Sequence, residues 1–259
     1  MWKHELSNGF VFSSKNPNDE FVNRLGALLN GAIVFFCGEV ENVHNIINIK
    51  AIEETLITGK FKIPYQNVLF EFNDNGTRIA LHLANYEDYT RMSTFISRKD
   101  YFSGGWYLSS VILDINNEDH TSRFGYISDI NDELNESGEK MVKIYFTILN
   151  QVLLLLHCKN IVKKENKPPE KLNKKRIKNG KLPLFSYYTL HIKDSINPSN
   201  SNNVLGDHNR IHLCRGHFKH YTEKNPLFGK LTGMYWWQPH VRGQNKDGII
   251  MKDYIVKCA

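Results

Sequence analysis

The strongest constraint on the fold lies between Val68 and about Ile130, where short apolar runs alternate with turn-forming residues. The runs cover residues 68–72, 77–83, 93–96 and 106–113 and are rich in β-branched and aromatic side chains. Asn73-Asp-Asn-Gly76, Gly104-Gly105 and residues 116–119 separate them. Branched and aromatic side chains suit a pleated, half-buried surface, and Asn-Gly supplies the positive φ of a tight hairpin. The block therefore predicts an antiparallel sheet. Asp114, Glu118, Asp119, Asp129 and Asp132 form a loose acidic group within and after it, which solvated turns explain better than paired catalytic carboxylates.

Helical patterns flank the sheet. Asn16-Pro17 followed by Asp19 and Glu20 reads as an N-cap, a first-turn proline and acidic residues at the positive end of a helix. Phe21, Leu25, Leu28 and Leu29 then recur at helical spacing, which predicts a helix over residues 17–30. Residues 32–36 either continue it or form a buried strand. Residues 141–158 are apolar almost all round, as expected of a buried helix against the sheet. The fold class expected is α+β: an N-terminal helix and an antiparallel sheet packed on a buried helix, with a small β-rich C-terminal lobe.

Residues 159–181 differ in composition. Ten of the 23 are Lys or Arg and two are acidic, so the segment carries +8 of a chain total of +6 and the remainder carries −2. Pro168-Pro169 and Gly180 interrupt it. Two readings stand: a solvated loop between lobes, or an arm that contacts phosphates through Lys174, Lys175 and Arg176. The organisation expected is a lobe over 1–158, a basic linker over 159–184 and a β-rich lobe over 185–259. Residues 185–192 read as a strand.

Five of the eleven histidines fall between His208 and His240, among Arg, Lys and large aromatics. If residues 211–221 form one strand, alternation places Arg215, His217, Lys219 and Tyr221 on one face and His212, Cys214, Phe218 and His220 on the other, unless Gly216 marks a bulge. His240 and Arg242 share a face of a second strand. Paired, the two strands would gather His217, His240, Arg215, Arg242 and Lys219 into one patch. Such a patch suits RNA or peptide binding, with Arg forks on phosphate or carboxylate and Tyr221, Tyr235, Trp236 or Trp237 stacking on bases. It also suits metal-independent RNA cleavage, with His217 and His240 as acid and base. Zinc is a weaker reading for His212, Cys214, His217 and His220, because no Cys-x-x-Cys knuckle is present. The structural alternative is that these cations cap carbonyls and the tryptophans fill a small core.

Positive net charge points to an acidic partner, with nucleic acid ahead of a membrane surface. Cys37, Cys158, Cys214 and Cys258 are too scattered for a disulfide framework, which suits a reducing compartment. The longest apolar run, between Ile144 and Leu156, falls short of the roughly 20 residues that cross a bilayer. The start carries no apolar signal core. A cytoplasmic protein without a cofactor or metal is expected. No phosphate-binding Gly-x-x-x-x-Gly-Lys, His-Glu-x-x-His or Gly-x-Ser-x-Gly motif is present.

His212, Arg215-Gly-His217-Phe218, Tyr221 with the glycine-bearing turn after it, and Trp237-Gln-Pro239 ending at Gly243 resemble the C-terminal signature of a family of phage and plasmid proteins. Its best-known branch is the type V-A anti-CRISPR protein that lowers the messenger RNA of the CRISPR effector nuclease. The upstream order is similar too: an apolar helix at 150–157, Asn173-Lys-Lys175 with Gly180, and an aromatic strand at 185–192. The likeness spans residues 149–243 and leaves the first 140 residues unmatched. Phe218 replaces a tryptophan of that branch, and residues 226–233 are an insert. The resemblance implies an inhibitor acting in the bacterial host cytoplasm during translation. It would recognise the nascent N-terminal peptide of a CRISPR effector nuclease, touch RNA or the ribosome, and trigger loss of the transcript. The N-terminal lobe would then choose the target.

Overall fold

The computed structural model describes residues 3, 11–12, 19–40, 63–98, 105–127, 132–193, 210–214, 216–237, 240–242 and 244–250. The chain forms two compact units, one of residues 1–157 and 162–191, the other of residues 158–161 and 192–259. The class is α+β.

The first unit holds a nine-stranded mixed sheet. Its strands are β1 (Val11–Phe12), β2 (Ile33–Glu39), β3 (Asn67–Asp74), β4 (Thr77–Asn85), β5 (Tyr89–Ser97), β6 (Tyr107–Asn116), β7 (Ser122–Tyr126), β8 (Ile161–Asn166) and β9 (Tyr187–Ile192). The spatial order is β1-β6-β5-β4-β3-β2-β9-β8, with β7 also paired to β6. Strands β3 to β7 form the expected antiparallel meander. The β3–β4 turn is the predicted Asn-Gly hairpin: Asp74 pairs with Thr77, and Asn75 and Gly76 both take positive φ, 47° and 82°. Parallel pairs β1–β6, β2–β3 and β2–β9 make the sheet mixed rather than purely antiparallel.

The helix expected at 17–30 is α1 (Asp19–Gly31), and residues 32–36 become a strand rather than its continuation. The second helix, α2 (Asp132–His157), is longer than its apolar part. Each helix belongs to a different core. Leu25 and Leu29 of α1 cluster with Val34, Leu69, Ala80, Phe95, Trp106 and Leu108. Val142, Ile148, Leu149, Val152 and Leu153 of α2 cluster with Phe35, Phe70, Ile79, Leu81, Val111 and Leu113. Alternation assigns the strand residues: 68, 70 and 72 go to one core and 69 to the other. Two dry faces explain why these strands read as nearly continuous apolar runs. Gly138 lets α2 approach β6, since a Cβ there would lie 2.6 Å from Val111 Cγ2.

The basic segment is not a loop. Its residues form β8 at the sheet edge and a third helix, α3 (Glu170–Lys178), with Pro169 at its N-cap position. Proline there loses no helical hydrogen bond, and Glu170 followed by Lys and Arg complements the helix dipole. Lys163, Lys164 and Glu165 are exposed on β8, charges that discourage edge-to-edge pairing. Strand β9 likewise joins the large sheet in the first unit instead of the C-terminal lobe.

The second unit contains β10 (Arg210–Cys214), β11 (His217–Tyr221), β12 (Gly233–Trp237), β13 (His240–Arg242) and β14 (Gln244–Ile250). They form a three-stranded sheet β13-β10-β14 and the hairpin β11–β12.

Candidate functional site

The strand expected over 211–221 is divided, ending as β10 at Cys214 and resuming as β11 at His217. Its partner divides likewise, at Trp237 and His240. Cys214 pairs with His240 and His217 with Trp237, so two residues intervene on each strand and the register is conserved across the break. Arg215, Gln238 and Pro239 lie outside the described residues.

Direct pairing puts His217, Lys219 and Tyr221 on the same side of the hairpin as Trp237, Tyr235 and Gly233. His217 and Lys219 are exposed, while Tyr221 is buried. Lys219 Nζ lies 4.9 Å from the Tyr221 ring centroid, and Tyr221 meets Tyr235 edge-on at 5.7 Å. The opposite side carries Phe218 against Trp236 at 4.8 Å, and exposed His220. Trp236 is only 5% exposed, which makes it a packing residue. Trp237 is half-buried, and its indole Nε1 is buried without a hydrogen-bond partner. His240 and Arg242 sit on β13, opposite Cys214 and His212, in the other ladder; their side chains are not described. Among the described residues no group of three His, Cys, Asp or Glu could hold a metal.

The hairpin is fastened from outside. Asn160 Nδ2 donates to Trp236 O at 2.7 Å, and Trp236 N donates to Asn160 Oδ1 at 3.0 Å. Lys159 N donates to Met234 O at 2.9 Å. At the far end, Leu227 and Leu231 exchange backbone bonds around a tip that projects Phe228, 78% exposed, with φ of 52°. Lys224 and Lys230 flank it and are exposed. Sequence reading overlooked Phe228 because an aromatic before Gly-Lys carries no sign of its exposure. The hydrophilic neighbours of the insert were the available signal.

In the first unit, α3 has no buried residue. Lys171, Lys174, Lys175 and Lys178 follow helical 3–4 spacing, so they form one stripe. Like charges at that spacing cost a helix about 0.2–0.5 kcal/mol per pair. Arg176 is committed elsewhere: its Nε donates to Leu182 O at 2.8 Å. Asn173 makes a two-way bond with Leu184, donating at 3.0 Å and accepting at 2.8 Å. The side of α3 away from the lysines is therefore tied to the following chain.

Polar residues of the N-terminal sheet were not expected to matter. Asp114, read as part of a solvated acidic group, is buried and takes a bidentate pair from Arg91 Nε and Nη2, both at 2.7 Å. Buried Lys3 donates from Nζ to Ala32 O at 2.6 Å, and burial lowers its pKa. His82 is 1% exposed, its Nε2 lies 2.6 Å from Asn67 Oδ1, and desolvation lowers its pKa to about 4. No family model, no curated protein and no solved structure matches this chain.

Proposed function

We propose that this protein is an anti-CRISPR-like inhibitor from a mobile element, which engages a nascent effector polypeptide during translation in the bacterial cytoplasm and triggers loss of its mRNA. The observation that carries the RNA- or ribosome-contacting part is the lysine stripe of α3. The helix dipole favours Lys175 and Lys178 in the last turn, but Lys171 and Lys174 lie before it, and like charges at this spacing work against the helix, so local stability does not account for the whole stripe. The four lysines suit a polyanion, whose counterions they would release on binding. The resemblance around Arg215-Gly-His217 supplies the biological setting. The exposed Lys219, Lys224 and Lys230, together with Phe228, add cations and a stacking surface on the second unit.

A ribonuclease using His217 and His240 has less support, because the two histidines belong to separate ladders. A plain protein-binding inhibitor, which would block an effector without touching RNA, leaves the lysine stripe without a role. Capture from a translating lysate tests the proposal: ribosome–nascent-chain complexes of the effector should be recovered with the protein. Recovery of released full-length effector alone would overturn it. In parallel, replacing Lys174 and Lys175 with Gln should weaken single-stranded RNA binding and reduce its salt slope by about 1.4, at about 0.7 per phosphate contact. An unchanged slope would remove α3 from the interface.

A further inference from the structure

A cavity of about 60 Å³ lies between α1 and strands β4 and β5, lined in part by Arg24, His82, Tyr86, Tyr89, Arg91 and Ser93. A water needs about 10–15 Å³ of such a cavity, so this one holds several waters or one small polar molecule. Its chemistry follows from one amide. Asn67 Nδ2 donates to Leu28 O, which fixes Asn67 Oδ1 as the acceptor facing His82. His82 Nε2 therefore carries the hydrogen, and in the neutral ring Nδ1 presents a lone pair. That nitrogen has no protein partner among the described residues. Ser93 is the direct cross-strand neighbour of His82, is also 1% exposed, and its Oγ has no protein partner among the described residues. Both residues line a space that water can enter, so a guest with matching polar groups can replace that water.

The rim is cationic and rigid. Arg24 Cζ lies 5.5 Å from the Tyr86 ring, Tyr86 stacks on Tyr89 at 4.8 Å, and Arg91 Cζ lies 5.2 Å from Tyr89. Asn117 Nδ2 holds the Tyr86 and Glu87 carbonyls at 2.8 and 3.1 Å. Asp114 neutralises Arg91 but leaves its Nη1 unused. Arg24 is exposed and has no ion-pair partner among the described residues, so the site keeps a net positive charge.

We propose that this cavity binds a small organic acid whose carboxylate meets the Arg24–Arg91 rim and whose O–H or N–H donates to His82 Nδ1, with Ser93 completing the contacts. The smallest such probes are glycolate and glycine. Titration calorimetry on the full chain at pH 7 should show glycolate or glycine binding, with acetate, which lacks the donor, about tenfold weaker. Arg24→Ala should lower that affinity about tenfold without changing the unfolding midpoint, and Ser93→Ala should lower it to a smaller extent. The imidazole resonances of His82 should shift on saturation. The proposal is overturned if neither probe binds, which leaves a water-filled cavity. It is equally overturned if acetate or inorganic phosphate binds as well as glycolate, or if Arg24→Ala has no effect. None of these outcomes bears on the RNA and ribosome assays.

Discussion

The two units use their apolar residues in opposite ways. In the first, strands β3 to β6 bury both faces, and Val68, Leu69, Phe70, Ile79, Leu81 and Leu83 are fully out of water. In the second, Cys158, Tyr221 and Trp236 are the buried residues among the described side chains. There the hairpin is held by hydrogen bonds to its backbone from Lys159 and Asn160. A thick core specifies its fold by apolar pattern and tolerates buried polar groups at chosen points. A thin one relies on particular polar residues and leaves its cations and aromatics open to partners. The first arrangement favours an enclosed cavity, the second an interaction surface.

The largest expected effect tests the thick core. Leu81→Ala should destabilise the first unit by about 3 kcal/mol, the cost of lost transfer energy plus a cavity. Chemical denaturation followed by far-ultraviolet circular dichroism measures it. A loss below about 1 kcal/mol would mean that the core between the sheet and α2 collapses around the gap and is less rigid than its burial implies.

A nearly equal effect belongs to pH. Burial pushes the His82 pKa down to about 4, against an ordinary value of 6.5. The unfolded chain therefore binds more protons between these values, and stability rises with pH across that window. The stabilisation is complete above about pH 6.5 and is lost as pH falls toward 4, by about 3 kcal/mol in total. His82→Gln should flatten that part of the profile. An unchanged slope would place the titration elsewhere and break the contrast between a dry first unit and an open second one.

Much of this division was legible in the sequence. The Asn75-Gly76 turn, the β3 to β6 meander, α1 and the apolar half of α2 all follow from local pattern, because a two-faced sheet writes its burial into nearly every residue. The basic segment misled for a physical reason. Charge density and two prolines suggest an unstructured loop, yet Pro169 sits where a helix tolerates proline, and edge strand β8 can carry lysines without burying them. The site residues were less legible. Strand alternation located His217, Lys219 and Tyr221 on one side, but the division of the strand between Cys214 and His217 depends on pairing, which single-strand reasoning does not supply. The His82–Asn67–Leu28 chain and the Arg91–Asp114 pair join residues 15, 39 and 23 positions apart. Nothing local announces such partners.

The thin unit is tested next. Asn160→Ala removes both side-chain bonds to Trp236 and leaves its buried backbone groups without those partners, for about 2 kcal/mol. Tryptophan fluorescence should report loosening of the hairpin at lower denaturant, while the unfolding of the first unit stays put. Asn160→Asp should recover part of the loss, because the carboxylate still accepts from Trp236 N but can no longer donate to its carbonyl. If Asn160→Ala leaves the hairpin intact, the packing of Phe218, Trp236 and Tyr221 is sufficient by itself, and the two units differ less than their burial suggests.

The smallest effect has the most informative sign. Phe228 holds a left-handed backbone, φ 52°, at a tip where its ring is 78% exposed. A bulky residue there costs about 1 kcal/mol relative to glycine, and so little burial offers slight return. Phe228→Gly should therefore stabilise the hairpin by up to about 1 kcal/mol, offset in part by the greater entropy of the unfolded chain. If the ring serves as a stacking surface, the same change should weaken single-stranded RNA binding by about 1 kcal/mol or more, and Phe228→Trp should restore it. Opposite signs in the two measurements would mean the aromatic is kept at the expense of the fold. Loss of stability with unchanged RNA binding would instead make the ring part of the thin core, and the contrast between the units would end at the hairpin tip.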